Sequence, residues 1–325
     1  MVGAPGAAPR SVPSSAVPAV TGAVVWVPRG FDAAMLQLLP GGVEVREIPD
    51  GAVPEHPGRG DIVIPHVRRS ILRDLLARLD NLRVVQTLSA GVDLVVDLIP
   101  DGVVLCDARG VHDVPVSEWV LAVILAMQRD LPRYVRQQTN GNWQPAPAPA
   151  HEVNGMEVLV LGHGSIGRAV EQRLTSFGAR VTGVALHARE GTRGVDDLPS
   201  LLPGADAVVV LLPLTEQTRG MVGADFVARM KPGAILVNAG RGPVADTQAI
   251  SDAVQAGRIR AALDVAAPEP LPRDHPLWHT EGALITPHIA GTSDAFLGRA
   301  WRFVAEQVQR YLDGEPLLNV VSEGY

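Results

Sequence analysis

The chain has 325 residues, 46% of them apolar and 19% charged, and a formal net charge of -7. This length exceeds the roughly 250 residues at which single hydrophobic cores stop growing, so two domains and a cleft are expected. The acidic balance excludes the average basic footprint of a nucleic-acid binder, and the longest apolar stretch, residues 120–127, is too short to cross a bilayer. Cys106 is the sole cysteine, which excludes an internal disulfide or a multi-cysteine metal site and makes a reducing cytoplasm the expected compartment.

In chain order, residues 1–22 are dominated by Ala, Pro, Gly, Ser and Val, with Arg10 the only charged side chain. Prolines at 5, 9, 13 and 18 interrupt any helix and break the apolar run on both sides of Arg10, so a flexible tail is expected rather than a secretory signal. From Ala23 onward β-branched runs alternate with helical patterns: AVVWV, VEVREI, DIVIP, LRVVQTL and VVLCD, with an amphipathic helix over residues 71–79. Such alternation specifies a parallel α/β unit. SEWVLAVILAMQR, residues 117–129, is apolar on nearly every face and marks a helix buried on all sides or covered by another subunit. A second, longer α/β series follows: EVLVLG, ARVTGVA, DAVVVLLP, GAILVNAG, RIRAALDV and ALITPHIAG. An amphipathic helix over about residues 295–312 ends the pattern and is expected to fold back onto the first series.

Chemistry concentrates in the second series. Gly162-His163-Gly164-Ser165-Ile166-Gly167 follows a strand and opens a helix, the setting in which glycines let a backbone approach a pyrophosphate at a helix N-terminus. The alternative is a tight glycine turn of some other α/β protein. The acidic residue that grips an adenosine ribose ends the next strand in such units, and here that place is Ala185. His187 and Arg189 follow it, a pattern suited to the extra phosphate of NADP(H), unless Arg189 is merely solvated.

Asn238-Ala239-Gly240-Arg241-Gly242 puts Arg241 at the carboxyl end of a strand, where open α/β sheets bind ligands and an arginine fork can hold a carboxylate. The bland alternative is a surface arginine beside a glycine turn. Glu269 lies in a proline-framed loop, and nineteen residues on, His288 stands just past a strand. A glutamate paired with that histidine would favour the protonated imidazole of a general acid, whereas a core histidine and a loop carboxylate are the structural alternatives. His275 and His279 are four residues apart, but Pro276 and a missing third ligand argue against a metal. Lys231, the one lysine, sits in Met-Lys-Pro-Gly and not in a phosphate loop of the Walker type, and no Gly-x-Ser-x-Gly elbow is present.

Together QTLSAGVD (86–93), SEWVLAVILAMQR, GHGSIG, LLPLTEQT (211–218), NAGRG, ALDVAAPEPLP (262–272) and TPHIAG (286–291) resemble the NAD(P)-dependent D-2-hydroxyacid dehydrogenase family, over about residues 23–321. The resemblance implies an α/β fold of two Rossmann-like domains with parallel sheets. The dinucleotide-binding domain, residues 115–294, would be inserted into a flavodoxin-like substrate domain of residues 23–114 plus 295–325. It implies that Arg241 orients the substrate carboxylate and carbonyl, that His288 protonates the carbonyl oxygen during reduction, and that Glu269 keeps His288 protonated. Backbone N–H groups of Ala90 and Gly91 would receive the carboxylate. For the cofactor, Gly162, Gly164, Gly167, Ser165 and Ile166 would line the pyrophosphate, Pro213 and Thr218 the adenosine side, Ala239, Gly240 and Arg241 the nicotinamide ribose, and Asp264 the carboxamide.

Ala185 departs from NAD-preferring relatives, so NADP(H) is the expected cofactor and NAD(H) the alternative. The implied substrate is a small 2-oxo acid such as glyoxylate or hydroxypyruvate, and the implied partner is a second copy docked through the 117–129 region, with no nucleic acid and no membrane. The end at Tyr325, without a regulatory extension, weighs against a large feedback-controlled phosphoglycerate dehydrogenase. A phosphoglycerate dehydrogenase-like enzyme and a dinucleotide-sensing corepressor remain the alternatives. Formate enzymes of this look resemble the chain less, because they carry Gln where Glu269 stands.

Overall fold

The computed structural model describes residues 22–31, 33–145 and 149–321. The tail expected over residues 1–22 therefore lies, apart from Gly22, outside the described residues. Contacts divide the described residues into two compact units, one from those within 22–88, 94–108 and 298–321, the other from those within 89–93 and 109–297. The segment Ser89–Asp93, which strand alternation alone groups with the first unit, makes its contacts in the second.

The first unit runs β1 (Val24–Pro28), α1 (Ala33–Leu36), β2 (Glu44–Ile48), β3 (Ile62–Val63), α2 (Arg69–Leu76), β4 (Val84–Gln86) and β5 (Val104–Cys106). Its five strands are parallel in the order β2-β1-β3-β4-β5, the flavodoxin-like order. Central β1 is buried at every residue, whereas edge strand β2 buries only Ile48 fully. Helix α2 buries Ile71, Leu72, Leu75 and Leu76, which share one face at helical spacing, and leaves its charged residues outward.

The second unit runs α3 (Asp113–Gln128), α4 (Leu131–Thr139), β6 (Glu157–Leu161), α5 (Ser165–Ser176), β7 (Arg180–Ala185), β8 (Arg193–Gly194), α6 (Leu198–Leu201), β9 (Ala207–Val210), α7 (Ala224–Arg229), β10 (Ile235–Asn238), α8 (Thr247–Gln255), β11 (Arg260–Leu263) and β12 (Ala283–Ile285). All pairings in its seven-stranded sheet, β12-β11-β10-β9-β6-β7-β8, are parallel. Strand order reverses between β6 and β9, and ligands of open α/β sheets bind at the carboxyl ends beside such a reversal.

Both faces of this sheet are covered, which is why its strands read as unbroken apolar runs. Leu159, Leu161, Val208, Val210, Leu236 and Leu263 point to one core, and Val158, Val160, Val209, Ile235, Val237 and Ala262 to the other. Each fully buried Val or Leu contributes about 1.5–3 kcal/mol. The second core also takes Val116, Val120, Val123, Ile124 and Met127 of α3 with Val170 and Leu174 of α5.

Helix α3 starts four residues before the apolar run at Ser117, because Pro115 falls in a first turn where its missing N–H costs nothing. It is not buried on all sides: Val114 and Glu118 are exposed, and Trp119, Leu121 and Leu125 are half-buried. The final helix α9 (Phe296–Asp313) buries Ala300, Trp301, Val304, Gln307, Val308 and Tyr311, and Gln307 Nε2 donates to Gln86 Oε1 of β4 at 2.8 Å within the first unit. Among the described residues no helix is long and apolar enough to cross a membrane.

Candidate active site

The glycine turn after β6 divides its labour among three residues. Gly162 has φ +94, and a Cβ there would stand 2.7 Å from the Leu211 carbonyl oxygen. Gly167 packs α5 against the turn, since its Cβ would lie 2.6 Å from Gly162 O. A Cβ on Gly164 would meet nothing within 4 Å, so the chain leaves open space on that side. Gly164 caps α5 without a side-chain hydrogen bond, and Ser165 and Ile166 form the first turn, so their N–H groups point out with no side-chain cap. Turn, open approach and close packing are what a dinucleotide pyrophosphate requires, and these residues fit one.

Ala185, half-buried, ends β7. The loop beyond it folds back through an antiparallel bridge between Arg189 and Thr192, and Arg189 Nη2 donates to His163 O at 3.0 Å. The guanidinium is thus carried to the rim of the glycine turn. His187 is exposed. The His163 ring packs against Gly183, where a Cβ would lie 2.5 Å away, and its Nε2 stands 2.7 Å from Glu171 Oε2. Neither this pair nor its role in bracing the turn is suggested by the glycine spacing alone. After β9, Thr218 is buried and closes its loop by donating to Pro213 O at 2.6 Å while accepting from Thr215 N–H at 2.9 Å.

After β10, buried Asn238 accepts the Gly240 N–H at 3.1 Å, and a Cβ on Gly240 would stand 2.8 Å from Leu212 O, so Ala239 and Gly240 hug the β9 loop. Arg241 then reaches Asp93: Nε donates to Oδ1 at 2.9 Å. Its Nη2 lies over Gly91, where any Cβ would overlap it. Ser89 Oγ donates to Gly91 O at 3.1 Å and shapes the same loop, which also contains Ala90.

Asp264, directly after β11, is 3% exposed and anchors the loop that follows β12. Its carboxylate accepts from Thr286 Oγ1 at 2.6 Å, Ile289 N–H at 2.8 Å and Ala290 N–H at 2.8 Å, and its carbonyl accepts His288 N–H at 2.8 Å. Three donors converge on the side chain for which a carboxamide contact is the expectation. His288 is held there at φ +55, a left-handed conformation that few non-glycine residues adopt without being fixed on several sides.

The imidazole Nδ1 stands 2.6 Å from Glu269 Oε1, with 49% and 45% of the two side chains exposed. Glu269 lies between two cis prolyl bonds, Ala267–Pro268 and Glu269–Pro270. A carboxylate can only accept, so Nδ1 carries the hydrogen and Nε2 is the atom that can exchange a proton with a ligand. A cavity of about 330 Å3 lies against the pair, lined by Leu263, Asp264, Leu271, Trp278 and Thr286 among others.

His275 turns its Nδ1 to the Leu277 N–H at 3.3 Å, and among the described residues no group of three His, Cys, Asp or Glu side chains could hold a metal ion. Sequence spacing singles out neither Asp93 nor Thr286. Asp93 closes the SAGVD segment, but its partner lies 148 residues away and only tertiary structure brings them together.

Comparison with known proteins places this geometry. The family model described as D-isomer specific 2-hydroxyacid dehydrogenase, NAD binding domain, matches residues 121–290. A D-3-phosphoglycerate dehydrogenase of Methanocaldococcus jannaschii is 31% identical over 271 residues, covering 81% of this chain and 52% of that protein. The chain thus spans about half the length of the curated phosphoglycerate dehydrogenases it matches. A D-isomer specific 2-hydroxyacid dehydrogenase from Xanthobacter autotrophicus Py2, solved with NADPH and MES, is similar at TM-score 0.80 and 33% identity over 93% of this chain and 98% of that one. The NADPH-dependent glyoxylate/hydroxypyruvate reductase of Sinorhizobium meliloti, solved with NADP and sulfate, is similar at TM-score 0.80 and 28% identity with the same coverage. A glycine turn at the strand reversal, with an arginine, a glutamate and a histidine on the loops after β10, β11 and β12, sits within the matched region, and the chain belongs to the D-isomer specific 2-hydroxyacid dehydrogenase family.

Proposed function

We propose that the chain reduces a small 2-oxo acid such as glyoxylate or hydroxypyruvate to the 2-hydroxy acid, with NADP(H) as the preferred dinucleotide. The observation that carries the reading is the 2.6 Å pair of His288 and Glu269 on the sheet edge that also holds Arg241. A reduced dinucleotide, held by its pyrophosphate at the glycine turn, would supply the hydride. Arg241 holds the substrate carboxylate, aided by the N–H groups of Ala90 and Gly91. His288 delivers a proton from Nε2 to the carbonyl oxygen, and Glu269 keeps the ring oriented through Nδ1. Hydride to carbon and proton to oxygen balance the reduction.

For NADP(H), the support is the missing carboxylate at Ala185 together with Arg189, which reaches the rim of the turn at His163 O. The Xanthobacter and Sinorhizobium proteins, whose structures hold NADPH and NADP, favour the same preference. A second reading, phosphoglycerate oxidation, is favoured by the curated relatives of that name.

A homodimer through the 117–129 region is supported by Trp119, Leu121 and Leu125, apolar and only half-buried there, and by the apolar side chains exposed just outside it: Val114 is 39%, Leu131 49%, Val135 60% and Trp143 99% exposed. Size-exclusion chromatography with light scattering reads the mass directly. A cytoplasmic location accords with Cys106 being kept as a buried free thiol.

The decisive experiment is steady-state oxidation of NADPH and NADH by the purified chain with glyoxylate, hydroxypyruvate and pyruvate, and the reverse reaction with 3-phosphoglycerate. Glyoxylate or hydroxypyruvate with NADPH should give the highest kcat/KM, and His288→Ala should lower kcat by about 100-fold or more. Fastest turnover of phosphoglycerate would support the second reading. Dinucleotide binding with no turnover of any acid would point to a sensing protein instead.

A further inference from the structure

Arg241 leaves β10 with extended backbone, φ -135 and ψ 140, and its guanidinium is committed on two sides. Nε donates to Asp93 Oδ1 at 2.9 Å, and Nη1 donates to Gly240 O at 2.9 Å. Among the described residues Nη2 has no hydrogen-bond acceptor, and it lies over the backbone of Gly91. Both partners of the ion pair are mostly covered, with 28% and 21% of their side chains exposed. Each of these residues belongs to the second unit.

An arginine with a long flexible stem would sample many orientations above this loop. Two acceptors on different nitrogens leave its planar fork one orientation, with Nη2 turned to the Gly91 loop. Water alone could satisfy Nε, so a carboxylate drawn from 148 residues away is not needed for solvation. What Asp93 adds is direction.

We propose that Asp93 is a positioning residue that sets the Arg241 guanidinium so that Nη2 faces an incoming carboxylate at the Gly91 loop. The proposal rests on the reading of Arg241 as the carboxylate-binding group. Gly91 belongs to the same device, because any side chain there would occupy the place of Nη2. Asp93 touches neither substrate nor cofactor in this account, so its removal should act on the 2-oxo acid and leave the dinucleotide alone.

The test uses the full chain and glyoxylate. Asp93→Ala should raise the KM for glyoxylate about 10- to 30-fold, the scale of an arginine stem's rotamer freedom, while the KM for NADPH stays within about twofold. Asp93→Asn, which keeps an oxygen acceptor in the same shape, should recover most of the loss. In an Arg241→Ala background, Asp93→Ala should leave the affinity for oxamate in the presence of NADPH unchanged, because a residue acting through Arg241 has nothing left to act on.

Parallel increases in both KM values, or no rescue by Asn, would mark Asp93 as merely structural and overturn the proposal. A normal glyoxylate KM in Asp93→Ala beside a raised one in Arg241→Ala would overturn the proposal alone. A normal glyoxylate KM in Arg241→Ala, or no turnover of any 2-oxo acid by the unmodified chain, would overturn the reading of Arg241 and the proposal with it.

Discussion

Replacing Asp264 by Asn separates two roles for this residue: anchor of the His288 loop or contact for a bound dinucleotide. The substitution exchanges one carboxylate oxygen for an amide nitrogen, so at least one of Thr286 Oγ1, Ile289 N–H and Ala290 N–H faces a donor in place of an acceptor. A hydrogen bond to a charged group is worth about 1.5–3 kcal/mol, and at 3% exposure water does not replace it. Losing one such bond should lower the thermal midpoint by about 3 to 12 °C, taking about 2–4 °C per kcal/mol for a large domain. The loop also pays for the left-handed backbone at His288, about 1–3 kcal/mol, and tolerates it only while anchored on several sides. The midpoint and kcat should therefore fall together in Asp264→Asn, with the KM for NADPH changing less than kcat. Differential scanning fluorimetry and steady-state kinetics on the same preparation make the comparison. An unchanged midpoint with a selective rise in the NADPH KM would refute the anchoring argument and leave Asp264 as a cofactor contact only.

Cofactor choice is tested by Ala185→Asp, expected to shift preference toward NADH, and by Arg189→Ala, expected to cost NADPH about 10- to 150-fold in kcat/KM relative to NADH; equal use of both cofactors by the unmodified protein would count against the reasoning. Asp206 is raised by partial burial, but the hydrogen bonds from Lys231 Nζ at 2.6 Å and Glu157 N–H at 2.9 Å outweigh this and hold its carboxyl below the usual range. A carboxyl depressed in the folded state stabilises above its unfolded value and loses that contribution as pH falls through the folded one. Below about pH 4 the midpoint of the unmodified protein should therefore fall more steeply than that of Asp206→Asn, and identical acid profiles would contradict the pair. Burial pushes the Cys106 thiol up to about 12, so at pH 8 a disulfide reagent should label it only after denaturation; prompt labelling of the native chain would show the thiol to be accessible.

What could be read from residues alone follows from how far each signal travels along the chain. A parallel sheet covered on both faces writes its strands as short apolar runs, and EVLVL, AVVV and AILVN became β6, β9 and β10 for that reason. The glycine turn was equally legible, since its requirements are met within six residues and each glycine answers a local crowding or opening. Helix α3 was legible as a helix but not in its orientation. A segment apolar on every side carries no moment to say which side faces the sheet, and only packing against α5 leaves Val114 and Glu118 outward.

The site is harder, because a parallel sheet assembles it from the ends of successive strands. Glu269 and His288 follow neighbouring strands β11 and β12, whose pairing of Ala261 with Ala283 through Leu263 with Ile285 brings the two following loops side by side. Their 2.6 Å contact is thus a consequence of register, and proximity could be argued from adjacent strands. Asp264 occupies an equally regular position, yet its donors come from residues 286–290, and nothing in Leu-Asp-Val distinguishes a carboxylate that faces a ligand from one that ties down the next loop. Asp93 lies beyond even that reasoning: its segment, 89–93, belongs to the second unit, and its partner there is an arginine 148 residues further along the chain. No periodicity or strand order links two such loops. The long-range ion pair leaves no local trace except Gly91, two residues before Asp93, whose missing side chain makes room for the Arg241 guanidinium. A charged residue two positions from a glycine, in a loop that follows a strand, is then worth testing for a distant partner even where no local pattern assigns it one.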